Sequence, residues 1–226
     1  MPLTPQQVEL LTEAINAYNF PAEYCEDFGA ENLVPAQAAD IRHIEAVILE
    51  QLKADNKNTV KDGLSNVLYW GHAQAGYRDH RVITFRDQVE DAHIKAFQNL
   101  LREHKFNPTA RQVADLQMPQ FSGMSFVSKV LMFLDPENNC VLDLQIAQLR
   151  QDAPEERALS DLKVYLTRIP ITNHNSDVYN KWKDECSGIG RYLGDLRAVD
   201  IERGLFHLIQ NNQAHVAQAI YNNFDV

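Results

Sequence analysis

Lys129 is the one charged side chain between Leu116 and Leu134, in the run LQMPQFSGMSFVSKVLMFL. A lysine in such a place is a reactive amine, a cation facing a ligand, or half of an ion pair. Desolvation favours the neutral amine, which is the nucleophilic form. A carboxylate, Asp143, follows in NNCVLDLQIA, where a helix cap belongs. Backbone N–H groups and the helix dipole would hold it in place. A fixed carboxylate can stabilise an oxocarbenium-like transition state, or orient an attacking water or amine. Plainer roles stand beside these. Lys129 can pair with Asp143, with Asp135 or with a helix end, and Asp143 can be an N-cap alone.

Two neighbouring segments could bind a polyanion. Ser122-Gly123 reads as a tight turn that opens the helix of Lys129, with Gly123 relieving the Cβ penalty of the turn. The unpaired N–H groups of the first helical turn, with the hydroxyls of Ser122 and Ser125, suit a phosphate. The stretch Tyr69 to Arg86 adds Tyr69, Trp70 and Tyr77 as stacking surfaces, with Arg78, Arg81 and Arg86 as phosphate contacts. The competing reading is a packed loop, with Trp70 and Tyr69 in the core and the arginines paired to Asp79 and Asp87. Tyr77 and Arg78 lie beside Gly76 and fit a loop contact better.

Other chemistries lack their motifs. None of the eight histidines is paired at i,i+3 or i,i+4, and there is no CxxC, HExxH or HxH, so no metal is expected. No Walker A loop and no GxGxxG after a strand is present, so no cofactor is expected either. GIGRYLG at 188–194 lies in a helical pattern and reads as close helix packing before phosphate binding. Three widely spaced cysteines argue for a reducing, cytoplasmic compartment. No apolar run approaches a membrane span, and the N-terminus shows no secretory pattern.

The net charge of -10 opposes a simple nucleic-acid reading, but it is unevenly spread. Residues 57–111 hold nine basic and six acidic side chains, the one basic third of the chain. A polyanion would meet that face first, although a surplus of three is also ordinary surface.

The elements expected to carry these residues are helical almost throughout. Thr4-Pro5 caps a first helix through Val8, Leu11 and Ile15. Pro35 opens a second, with Ile41, Ile44, Ile48 and Leu52 on one face. A third runs from Asn58 or Thr59 to Gly71, and a loop covers 71–81. Further helices are expected at 88–104, after Asn107-Pro108-Thr109, and at 124–134, 144–149, 177–194, 199–210 and 213–223. In the 124–134 helix the small polar stripe is Ser125, Ser128, Lys129 and Met132, and the rest is apolar. An extended piece is allowed only at 162–171. The expectation is an all-α fold: one helical domain of two mutually packed lobes, 1–150 and 151–226, with the boundary near QDAPEE.

The run SGMSFVSKVLMFLDPENNCVLDLQIA resembles the helix-hairpin-helix DNA glycosylase superfamily, and within it the bacterial group with an 8-oxoguanine DNA glycosylase fold. NVLYWGHAQAGYRDHRVITFR and LRAVDIERGLF are similar to that group too, so the likeness spans about residues 66–206. It implies an all-α two-lobed fold with a helix-hairpin-helix element. It also implies DNA as partner, extrusion of a damaged base, and hydrolysis of its N-glycosidic bond, with or without a lyase step. Asp143 matches the superfamily's aspartate. The lysine of the bifunctional members follows the hairpin glycines in a pattern like GxGxK, which places it at Val127. Lys129 stands two residues later, roughly 200° around a helix, and Ser125 replaces the second glycine. On this resemblance Lys129 and Asp143 are the catalytic pair. Ser122, Gly123, Ser125, Tyr77, Arg78 and Arg81 face DNA. A non-catalytic member of the same fold, binding nucleic acid or protein, is the alternative.

Overall fold

The computed structural model describes residues 3–29 and 33–224. Ten α-helices and one two-stranded sheet make up the regular structure of these residues, with two short 3-10 helices. The fold is largely helical. The chain divides into two compact units, Phe20–Leu134 and Met1–Asn19 with Asp135–Val226. The QDAPEE stretch, expected as a boundary, lies inside the second of these, as turns between the two 3-10 helices.

The unit Phe20–Leu134 is built around one buried helix. Strands β1 (Glu23–Asp27) and β2 (Val34–Gln37) pair antiparallel, with Cys25 opposite Pro35. Pro35 therefore belongs to a strand and does not open a helix. Proline lacks the ladder N–H but is tolerated in an edge strand. Helix α2 (Ile41–Leu52) starts instead at Asp40, whose carboxylate accepts from the His43 N–H at 2.8 Å. Helix α3 (Lys57–Gly71) follows, capped by Asn56. Its residues Val60, Leu64, Val67 and Leu68 are wholly buried. It contacts β1, α2, α4 (Arg78–Gln88), α5 (Asp91–Glu103) and α7 (Met124–Leu134). Asn66, also wholly buried, docks the hairpin on α3. Its Oδ1 accepts from the Cys25 N–H at 2.7 Å, and its Nδ2 donates to the Cys25 carbonyl at 3.2 Å. A side-chain amide thus satisfies buried strand groups that would otherwise be costly. Helix α6 (Ala110–Asp115), capped by Thr109, packs on α7.

In the other unit α1 (Pro5–Asn16) begins with a capping box at Thr4 and proline in its first turn. It lies on α9 (Ala198–Gln210). A Cβ on Gly204 would meet Ile15 Cγ1 at 2.6 Å, so glycine permits that approach. Helix α8 (Asn173–Tyr192) and α10 (Ala214–Asn223) flank α9. The α8 side chains Tyr179 and Trp182 donate to the carbonyls of Cys140 and Val141, at 3.0 and 3.1 Å. These bonds fix the segment that leads into Asp143.

Candidate functional site

Helix α7 carries a continuous buried run from Val127 to Leu134. Lys129 is only 6% exposed within it. Its Nζ donates to the Ser125 carbonyl at 3.2 Å and stands 5.3 Å from the centroid of the Phe126 ring. Ser128 Oγ donates to the same carbonyl at 3.4 Å. Two members of the expected stripe, Ser128 and Lys129, thus meet at one backbone oxygen, and Ser128, Lys129 and Met132 are all buried. Burying an ammonium is expensive unless hydrogen bonds or polarisable surface replace its water.

The neighbour of that stripe is the end of α3. A Cβ on Gly71 would lie 2.6 Å from Phe126 Cε1 and 3.0 Å from Lys129 Cδ. Glycine here lets α3 run directly against Phe126 and the lysine stem. The next residue, His72, ends α3 and lies 4.5 Å from the Phe126 ring. Burial, then the positive charges of Lys129 and Arg81, push the His72 pKa down to about 4. At neutral pH the imidazole is uncharged, able to accept one proton and donate another. The sequence did not single out His72, because its histidines match neither metal-ligand spacing nor a marked Cys/His pair. The available signal was its place at the end of the α3 pattern, before Tyr77-Arg78.

Tyr77 is 54% exposed and lies 5.4 Å from His72. It ends the loop at residue 77, because α4 starts at Arg78 and not after 81. The Arg81 guanidinium stands 5.4 Å over Tyr77 and donates to Gln120 Oε1 at 3.1 Å. Lys129, Phe126, His72, Tyr77 and Arg81 form one linked group. Arg78 is engaged elsewhere. It pairs with Glu23 at 3.1 Å and Asp79 at 3.3 Å, and stacks 3.9 Å over Tyr69. Tyr69 and Trp70 are core residues, and Trp70 sits edge-on between Phe20 and Phe133. Arg86 pairs with Asp62, not Asp87.

Ser122 is exposed, and Gly123 and Ser125 are half-buried. The Gly123 carbonyl accepts from the N–H groups of Phe126 and Val127, closing the first turn of α7. Gly123 does not use the left-handed region. The positive φ angles fall on Gln117 (53°) and Gln120 (67°). The turn between α6 and α7 is thus bent by two glutamines, each at a local cost.

Asp143 belongs to the other unit, and is half-buried. Its Oδ1 accepts from the N–H groups of Gln145 (2.9 Å) and Ile146 (3.1 Å), and its carbonyl from Ala147 (2.9 Å). The element it opens is a 3-10 helix, Ile146–Arg150, in place of the α-helix expected from Leu144. Asp143 also bears on the half-buried phenol of Tyr18. Burial chiefly raises the Tyr18 pKa, Arg203 opposes this, and Glu202 and Asp143 add to it. Asp200, near the start of α9, holds Arg197 through two bonds of 2.9 and 2.7 Å. The Tyr18 phenol thus feels Asp143 together with Glu202 and Arg203, two buried charges of α9.

Among the described residues no group of three or more His, Cys, Asp and Glu side chains could hold a metal ion. No helix among them is long and apolar enough to cross a membrane. Comparison with protein-family models, curated proteins and solved structures returned no match.

Proposed function

We propose that the chain is a DNA glycosylase that cleaves the N-glycosidic bond of a modified base of the 8-oxoguanine kind. The observation that carries this reading is Lys129, a lysine 6% exposed in a core helix and set against Phe126, in a group that includes a neutral His72. A reactive amine is one reason for a lysine in such a place. In this reading Lys129, as the free amine, attacks C1′ of the damaged nucleotide as the base departs with the glycosidic electron pair and takes up one amine proton. The C1′–O4′ bond then opens, O4′ taking the second amine proton, and leaves the imine that permits strand cleavage by β-elimination. His72, uncharged, adds no second positive charge to the group around Phe126. Asp143, held by two amides, stabilises the positive charge that develops on the sugar. The segment between α6 and α7 serves as the helix-hairpin-helix, with Gly123, Ser122 and Ser125 at a phosphate. Tyr77 and Arg81 contact the strand. The compartment is the cytoplasm, and the role DNA repair.

A second reading, a non-catalytic nucleic-acid- or protein-binding member of the same fold, is favoured by the net charge of -10 and by the internal pairing of Arg78. Duplexes carrying 8-oxoguanine and other modified bases, incubated with the protein and then with alkali, separate the two. Cleavage at the modified base is expected, with Asp143→Asn slower by about 100-fold or more. Borohydride should trap an adduct with the wild type and none with Lys129→Gln. Intact strands with every duplex would reject the enzyme.

A further inference from the structure

Leu166 is fully exposed, and Tyr165 beside it is 62% exposed. They form the tip of a tight turn. The Tyr165 N–H donates to the Arg168 carbonyl at 2.9 Å, and the Arg168 N–H to the Tyr165 carbonyl at 3.3 Å. Asn175, wholly buried in the first turn of α8, holds the root. It accepts from the Lys163 N–H at 3.0 Å and donates to the carbonyls of Lys163 (2.8 Å) and Pro170 (2.9 Å). A tip braced in this way loses little further freedom when a partner covers it.

Val164, at the root, also lines a hollow of about 410 Å³, together with Leu144, Ala147, Gln148, Arg150 and Gln151. Hairpin and hollow lie side by side in one unit. Their flanks differ in charge. Residues 162–174 hold Lys163 and Arg168, both exposed, and no acidic side chain. Residues 151–156 continue from the hollow at Gln151. They hold Asp152, Glu155 and Glu156, all exposed, and no basic side chain. The Asp152 carbonyl accepts from Asn222 Nδ2 at 3.2 Å, which ties this segment to α10.

We propose that hairpin and hollow are the complementary halves of a two-fold dimer interface, in which Tyr165 and Leu166 of each copy enter the hollow of the other. Lys163 and Arg168 then meet Asp152, Glu155 and Glu156 across the interface. A cavity of roughly 150 Å³ already holds a benzene ring, so this hollow admits the leucine with part of the tyrosine. Arg150 is the one cation among its lining residues. The entering Tyr165 ring gives that guanidinium an aromatic face. Side-by-side placement suits a two-fold axis, because both contacts close at once and no open chain of copies grows. An anionic membrane or a nucleic acid reaching the tip would also meet the carboxylates of 151–156, whereas a second copy supplies both signs. The pairing does not depend on the glycosylase reading.

Sedimentation velocity of the full chain, from about 1 µM to about 1 mM, tests this. The wild type should move from monomer to dimer, and no further, as concentration rises. Leu166→Asp and Leu144→Asp should each weaken the dimer about tenfold or more. Their melting temperatures should match the wild type, because both positions are exposed. Lys163→Glu with Arg168→Glu should weaken the dimer too, and so should Glu155→Lys with Glu156→Lys. A chain carrying all four changes should dimerise again, which damage to the hairpin alone would not allow. A wild type that stays monomeric throughout would overturn the proposal, as would a dimer that Leu166→Asp leaves intact. Growth past the dimer would overturn the two-fold arrangement. If the wild type stays monomeric and Leu166→Asp abolishes binding to phosphatidylserine vesicles or to a DNA duplex, the tip serves that surface and the pairing is wrong.

Discussion

Arg78 and Arg81 stand three residues apart on α4 and are engaged differently. Arg78 is three-quarters withdrawn from water, paired with Glu23 and stacked on buried Tyr69. Arg81 is exposed and reaches only Tyr77 and Gln120. Composition could not separate them, because both are arginines beside Tyr77 in a basic stretch. What separates them is β1, which brings Glu23 against α4. Arg81→Ala should weaken duplex binding and reduce the salt slope by about one, with stability unchanged. Arg78→Ala should leave the slope alone and cost about 1–2 kcal/mol in stability, from the lost stacking and ion pair. Salt-dependent binding isotherms and urea melts of both variants check this. A larger slope change for Arg78→Ala would reverse the assignment. Of the chemistry-bearing residues, Lys129 was legible because a lone charge in an apolar helical run has few explanations. His72 was not, because a helix-terminal histidine looks the same in sequence whether it faces Phe126 or solvent.

At the scale of elements, α8 ends on a close backbone approach. A Cβ on Gly190 would stand 2.1 Å from the carbonyl oxygen of Leu196, and the Leu196 N–H donates to the Gly190 carbonyl at 3.1 Å. Gly194, with φ of +100°, turns the chain back to make this contact. Gly190 of GIGRYLG thus serves packing, as its helical setting suggested, and Gly194 serves the turn. Gly190→Ala should cost about 3 kcal/mol, because the atom in the way is backbone and cannot swing aside. Gly76→Ala, where nothing lies within 4 Å of the added Cβ, should be near neutral. Urea midpoints of the two variants read the difference, and equal midpoints would refute it. Helices with side-chain caps, such as α1 at Thr4 and α6 at Thr109, were readable. Helix α4 has no side-chain cap at Tyr77, and it was missed: its first residues read as loop, and no helix was expected between 71 and 88. The β1–β2 hairpin was missed because neither strand alternates clearly between buried and exposed positions. Its anchor is Asn66, 41 residues from Cys25 in sequence.

At the scale of the whole molecule, the two units should answer acid in opposite directions. Their make-up was itself hidden in the sequence, since α1 joins residues 135–226 through non-local packing on α9. In the unit Phe20–Leu134, His72 holds its pKa near 4 against an ordinary value of 6.5. Between those values the unfolded chain binds a proton that the folded one refuses, so acidification weakens this unit, fully so below about pH 4. In the other unit Glu185 is raised above its ordinary 4.5 chiefly by burial, although Tyr221, the Ala158 N–H and Arg157 oppose the shift. Its carboxyl oxygens accept from Tyr221 at 2.6 Å and from the Ala158 N–H at 3.0 Å. Here the folded state takes up the proton first, so stability rises as pH falls toward 4.5. Hydrogen exchange at pH 7 and pH 5, corrected for intrinsic rates, should show α3 and α7 losing protection while α8 and α10 keep theirs. His72→Gln should abolish the loss in α3 and α7 without altering α8. A uniform loss across both units, or a loss that survives His72→Gln, would show that the buried imidazole does not set the acid response.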